Sequence, residues 1–171
     1  MQRRSFISAA ALGTLSAAAA PLAAQLAAAP RAARAHHGWS SFDPGRPLYL
    51  AGRVVAVRWR NPHAEVDLEV QPRLALPRDL AARAVPEQTT PLDSKDILAR
   101  TVLPVRADGT WTIELAPLTR MRAWSVEPLR ESETIEVVGY TFTGERGDKV
   151  MRAEWLFRDG KAYGLRSSPA G

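Results

Sequence analysis

The sequence predicts an all-β domain, a small OB-like five-stranded barrel with one short helix between strands 3 and 4. Three observations carry this. Apolar and polar residues alternate with period two in five separate stretches. One proline-led helical stretch falls between the third and fourth of them. The resulting order of β, β, β, short helix, β, β is that of a partly open Greek-key barrel.

"LYLAGRVVAVRW" (48–59) reads as the first strand, with Val55, Val57 and Trp59 on one face, Arg58 and Arg60 on the other, and Gly52 as a bulge or bend. "RNPH" follows as a tight turn, with Pro62 fixing φ and Asn61 able to cap it. In "HAEVDLEV" (63–70), Ala64, Val66, Leu68 and Val70 form a buried face, while His63, Glu65, Asp67 and Glu69 share the opposite one. Residues 71–109 lose the alternation and carry scattered charges, several prolines and a short helical stretch at "SKDILAR". They read as a long surface insertion without a core-facing pattern, so their removal is expected to leave one cooperative unfolding transition. "GTWTIELA" (109–116) resumes the strand pattern with Trp111, Ile113 and Leu115 inward, and "PLTRMRAW" (117–124) makes one or two helical turns. "ETIEVVGYTF" (133–142) and "KVMRAEWLFR" (149–158) are the last two barrel strands, joined by the glycine-containing loop "TGERGD", and "DGKAYGL" adds a hairpin edge. Trp59, Trp111 and Trp155 fall on apolar strand faces and read as core residues, with no second core apparent.

The N-terminus has a different character. Arg3 and Arg4 precede Ser5, Phe6 and Ile7, a weakly apolar Ala/Leu run follows, and an Ala-x-Ala ends at Ala35. That layout predicts a signal peptide of the twin-arginine type over residues 1–35. Pro21, Gln25 and Pro30 interrupt the run, which argues against a retained membrane anchor. Earlier Ala-x-Ala sites are followed directly by Pro21 and Pro30, whose fixed φ and missing N–H make poor cleavage substrates. Cleavage after Ala35 makes His36 the first mature residue of a single domain spanning 36–171, predicted to be periplasmic.

Four of the 23 basic residues and none of the 18 acids lie in the leader, so 19 basic residues face 18 acids after its removal. A balance of +1 leaves no footprint for nucleic acid or an anionic membrane. The chain has no cysteine, which excludes disulfides, thiolate metal sites and cysteine nucleophiles. Glycine-rich phosphate loops, G-x-S-x-G and H-E-x-x-H are also absent, and the sequence offers no catalytic residue.

With "HHGWSSFD", "WRNPH", "WTIELAP" and "VVGY" located, the chain resembles a family of small exported bacterial proteins of uncharacterised function. Members open the mature chain with His-His and an aromatic and carry a Trp-x-Asn-Pro-His strand end. The resemblance covers about 36–70 and 110–165 and is most specific at His36-His37 and Asn61-Pro62-His63. The insertion and "LRESET", where the family has a Lys-Pro-Gly-Asp turn, depart from it. The resemblance implies an exported OB-like domain and no reaction.

All three histidines of the chain fall at these two places. A free N-terminal histidine chelates a metal through its α-amine and ring, and one further imidazole completes a three-nitrogen histidine brace. This set suits Cu(II) ahead of zinc. His36 is expected to supply amine and ring and His63 the opposing imidazole. His37 is a further candidate, and Glu65, Asp67 and Glu114, read as solvent-facing, are weaker candidates for an oxygen or a ring-orienting contact. The expected function is copper carriage, storage or sensing. The rival expectation is a metal-free module recognising a peptide, glycan or envelope protein partner, as OB folds do.

Overall fold

The chain divides into two units, Met1–Ala35 and His36–Gly171. A computed structural model describes residues 39–170, all within the second. The predicted leader, His36 and His37 therefore lie outside the described residues.

Six strands form one sheet: β1 (Leu48–Arg58), β2 (Glu65–Val70), β3 (Thr110–Glu114), β4 (Thr134–Tyr140), β5 (Val150–Arg158) and β6 (Lys161–Gly164). Their order is β3-β2-β1-β4-β5-β6, and a parallel pairing of β3 with β5 closes the first five into a barrel. β6 extends the sheet beyond β5. Two helices interrupt the strands, α1 (Ser94–Arg100) before β3 and α2 (Leu118–Ala123) between β3 and β4. The predicted five-stranded barrel with its helix between strands 3 and 4 is the observed architecture. Among the described residues no helix is long and apolar enough to cross a membrane.

β1 is shared by both halves of the barrel, pairing with β4 from Leu48 to Arg53 and with β2 from Gly52 to Arg58. The predicted irregularity at Gly52 takes another form. The bulge lies at Val55, where Val54 pairs with Leu68 and Ala56 with Asp67. This extra residue resets the alternation, so that Val54 is buried and Val55 is not part of the core. Gly52 serves close approach, since a Cβ there would stand 2.0 Å from the Glu69 carbonyl oxygen. The interior is filled by Leu48, Leu50, Val66, Leu68, Trp111, Ile113, Met151 and Leu156, with Met121 of α2 packed in the same cluster.

The segment 71–109 differs from its expectation. Leu80, Ile97 and Leu98 are buried in a second apolar cluster with Tyr49, Ala51, Val138, Tyr140, Val150, Trp155 and Phe157. These barrel residues point outward, so Trp155 belongs to the second cluster and only Trp111 fills the barrel as predicted, while Trp59 is half-buried beside it. The reason is legible afterwards: "LYLA" and "VVGY" are continuous apolar runs, the pattern of strands covered on both faces. Polar ties fasten the segment further. Tyr49 N–H donates to Val102 O at 2.9 Å and Val102 N–H to Pro47 O at 3.1 Å. Arg83 donates to Glu136 at 2.7 Å and lies 5.0 Å from the Phe157 ring centre. The buried Glu145 carboxylate accepts from Val105 N–H at 2.9 Å and Arg106 N–H at 3.2 Å and is paired with Arg46. Burial pushes its pKa up, but Arg46 and these amides hold it below the usual carboxylate range.

Leu98→Ala is therefore expected to lower the unfolding free energy by about 2–5 kcal/mol, measured by urea denaturation, because it opens a cavity between α1 and the barrel wall. A loss no greater than that of an exposed alanine substitution would return the segment to the status of a loose excursion.

Candidate functional site

The β1–β2 loop carries the one described histidine. β1 ends at Arg58, the Asn61–Pro62 peptide is cis, and the ladder resumes at Ala64, whose N–H donates to Ala116 O at 2.8 Å. Ala64 O in turn accepts from Leu115 N–H at 2.9 Å, so His63 stands half-buried just before two pinned and buried strands.

The acidic face of β2 is already engaged. Arg58 donates through Nε to Glu65 at 2.9 Å and through both terminal nitrogens to Asp67 at 2.9 and 2.8 Å. Thr112 Oγ1 donates to Asp67 at 2.9 Å, and Glu69 pairs with Arg53. A fork-shaped guanidinium matched to carboxylates is the residue type that makes such a clamp. Hydrogen bonds to Asp67 raise the Arg58 pKa against the opposing effect of burial.

Glu114 is not solvent-facing. It pairs with Glu65 on β2 and with Arg152 on β5, and its side chain is only 6% exposed. Closure of the barrel puts β5 beside it, a neighbour that alternation within β3 does not reveal. Arg152 Nε lies 3.1 Å from Glu114 Oε2, an ion pair with neither atom in an aligned hydrogen bond. Burial pushes the Glu114 carboxyl up to about 7 although Arg152 opposes it, and burial draws the Arg152 guanidinium down.

Next to this pair is a second, deeper one that the sequence reading missed. Glu154 is fully buried at a bulge in β5, where Val138 pairs with Trp155 and Gly139 with Ala153. Its carboxylate accepts from Arg166 Nε at 2.7 Å and Gln88 Nε2 at 3.2 Å, and Ser167 N–H donates to Gln88 Oε1 at 2.9 Å. Burial raises the Glu154 pKa against the pull of Arg166. Burial and the Glu154 charge push Tyr140 up to about 12. Trp39 lies over this cluster, its ring centre 3.9 Å from the Arg166 guanidinium and 5.6 Å from that of Arg152. The available signal was "KVMRAEWLFR": Arg152 and Glu154 interrupt a strand otherwise apolar on both faces, and charges there require buried partners.

Of the predicted metal candidates, Glu65 and Glu114 meet as register partners, Asp67 joins Glu65 through Arg58, and His63 precedes them on β2. His36 and His37 lie outside the described residues. Among the described residues no group of three or more His, Cys, Asp or Glu is arranged to hold a metal ion.

Residues 23–76 match the model of a family of unknown function, DUF6152. The matched stretch contains all three histidines, β1, β2 and the loop between them, and ends as the 71–109 segment begins. No curated protein and no solved structure matches the chain.

The elevated Glu114 pKa gives a measurable consequence. The folded chain holds this proton more tightly than the unfolded chain, so ionisation of the carboxyl opposes folding as pH rises from 4.5 toward about 7. Stability is expected to fall across that window by up to about 3 kcal/mol. In Glu114→Gln the fall should largely disappear, because the neutral amide stands in for the protonated carboxyl at every pH; the variant should come close to the wild type at pH 5 and exceed it at pH 8. Urea denaturation of both proteins at pH 5 and pH 8 checks this. Equal slopes with pH would show that Glu114 ionises normally.

Proposed function

We propose that this is an exported periplasmic protein that binds one Cu(II) ion through a histidine brace, with the α-amine and ring of His36 opposed by the imidazole of His63. Carriage, storage or sensing of copper asks for no more than such a site, and the catalytic signatures sought in the sequence are absent.

The observation that carries this reading is the attachment point of Trp39. Two residues, His37 and Gly38, lie between His36 and Trp39, at most about 10 Å of extended chain. Trp39 lies against Arg152 of β5, and Arg152 leads through Glu114 of β3 to Glu65 of β2, two residues from His63. Neighbouring strands stand about 4.8 Å apart, so Trp39 is seated on the strand two places from β2 in the closed barrel.

The donor set favours nitrogen. Arg58 occupies the carboxylates of Glu65 and Asp67, and Arg152 opposes Glu114, so none of the three is a free oxygen donor. A brace is instead built from an amine and two imidazoles, a set that suits tetragonal Cu(II) better than a four-ligand zinc site. His37 then stands beside the brace as a neighbour or an orienting group.

The mature protein is expected to bind about one Cu(II) with a three-nitrogen paramagnetic signature. Affinity should rise with pH through about 6.5 and about 8, because imidazole and α-amine must lose their protons to bind. A single glycine added ahead of His36 keeps every side chain but moves the amine out of chelating position, and should cost most of the affinity. His63→Ala should weaken binding and His37→Ala should matter less. Isothermal titration with copper, read beside the spectrum, checks all three. Equal binding by the extended and mature forms would sink the brace and leave the metal-free binding module as the better reading.

A further inference from the structure

We propose that the cavity between residues 85–94 and β5 binds an uncharged small molecule with an apolar body and one acceptor oxygen, which takes the hydrogen bond of the Trp155 indole. Among the described residues its lining holds no histidine, so the site stands apart from any copper bound by the chain.

The indole supplies the reason for an occupant. Trp155 is only 1% exposed, and among the described residues its Nε1 has no hydrogen-bond acceptor. Trp111 and Trp124 show the ordinary arrangement, their indole N–H groups donating to Arg106 O at 3.1 Å and Ser167 O at 2.8 Å. A buried donor left without an acceptor is costly, and folds rarely keep one unless something else supplies the acceptor. Trp155 also lines a cavity of about 360 Å³, a volume within the range of small-molecule sites. Its N–H is shut off from bulk water, so an occupant reaches it with a rotamer change in the half-buried part of the lining, Val85 or Leu92, an adjustment common on binding.

The walls define the chemistry of the guest. Val85, Pro86, Pro91 and Leu92 line the cavity beside Trp155 and give it apolar surface. This wall is tied down along its length: Thr89 N–H donates to Ser168 O at 2.9 Å, Thr90 N–H donates to Ser167 Oγ at 2.8 Å, and Asp93 caps α1 by accepting from Asp96 N–H at 2.9 Å. A cavity held open in this way demands little ordering when it is filled. The Gln88 side chain is engaged with Glu154 and Ser167, which leaves the Ser94 hydroxyl and the exposed Glu87 carboxylate as the other polar side chains of the described lining. Glu87 and the buried Glu154 behind Gln88 both oppose an anion, so the acceptor is an uncharged oxygen such as a carbonyl and not a carboxylate.

The test follows the five indole N–H resonances of the isotope-labelled protein by NMR while N-methylpyrrolidone, a lactam, and in a separate series acetophenone, an aromatic ketone, are added. The Trp155 signal is identified by its loss in Trp155→Phe. It is expected to move downfield and saturate with at least one of the two carbonyl compounds while the other four indoles stay in place. Trp155→Phe keeps a ring against the cavity but removes the donor, and affinity read from the backbone amides of 85–94 should fall about tenfold, the scale of one hydrogen bond. Ser94→Leu fills the cavity without touching the indole and should abolish the shift at Trp155; this variant carries the test if Trp155→Phe does not fold. No saturating shift with either compound, or a linear drift of all five indoles together, overturns the site and leaves an ordered water as the acceptor. Unchanged affinity in Trp155→Phe, or a Trp155 shift that survives in Ser94→Leu, overturns it as well, because the compound is then held elsewhere or by other groups.

Discussion

The carboxylate of Glu154 is the constraint on which much else depends. It is buried completely, and an ionised group so placed costs several kcal/mol unless it is paired and hydrogen-bonded. Its partners come from distant parts of the chain: Gln88 from the segment before α1, and Arg166 from the stretch after β6. Arg166 then supports Trp39, and Gln88 fixes the backbone at Ser167. One buried charge thus holds the N-terminal approach, the 71–109 segment and the C-terminal strap to the same strand.

The bulge in β5 makes this possible. An extra residue opposite Val138 and Gly139 breaks the alternation, so that Ala153 and Leu156 serve the barrel interior while Trp155 and Phe157 serve the outer cluster. β1 uses the same device at Val55, where the strand passes from one neighbour's face to the next. A closed barrel of short strands needs such changes of phase, and here they also re-aim the charged side chains that carry the outer network.

Glu114 and Arg152 show what closure does to polar residues on the outer surface. In an open sheet β3 would be an edge and Glu114 would face water. The parallel pairing with β5 instead sets it against a buried guanidinium, with the Trp39–Phe42 segment alongside. The resulting row of Glu65, Glu114 and Arg152 runs across the barrel from the start of β2 to the Trp39 ring.

The sequence by itself determined the strands, the helix between β3 and β4 and the barrel interior, because a two-residue side-chain period is a local property. Val66, Leu68, Trp111 and Ile113 had no other face to occupy. The continuous apolar runs at 48–51 and 137–140 fit a covered outer face, but the expectation of a single core passed over them. Only the tertiary structure decided what covers that face, where the bulges fall, and which acids are paired. Leu80 and Leu98 become core residues, Glu114 becomes buried and Glu154 finds Arg166 through contacts between stretches far apart or on different strands. Periodicity tells which way a side chain points along its own strand; it carries no information about which distant segment arrives on the other side.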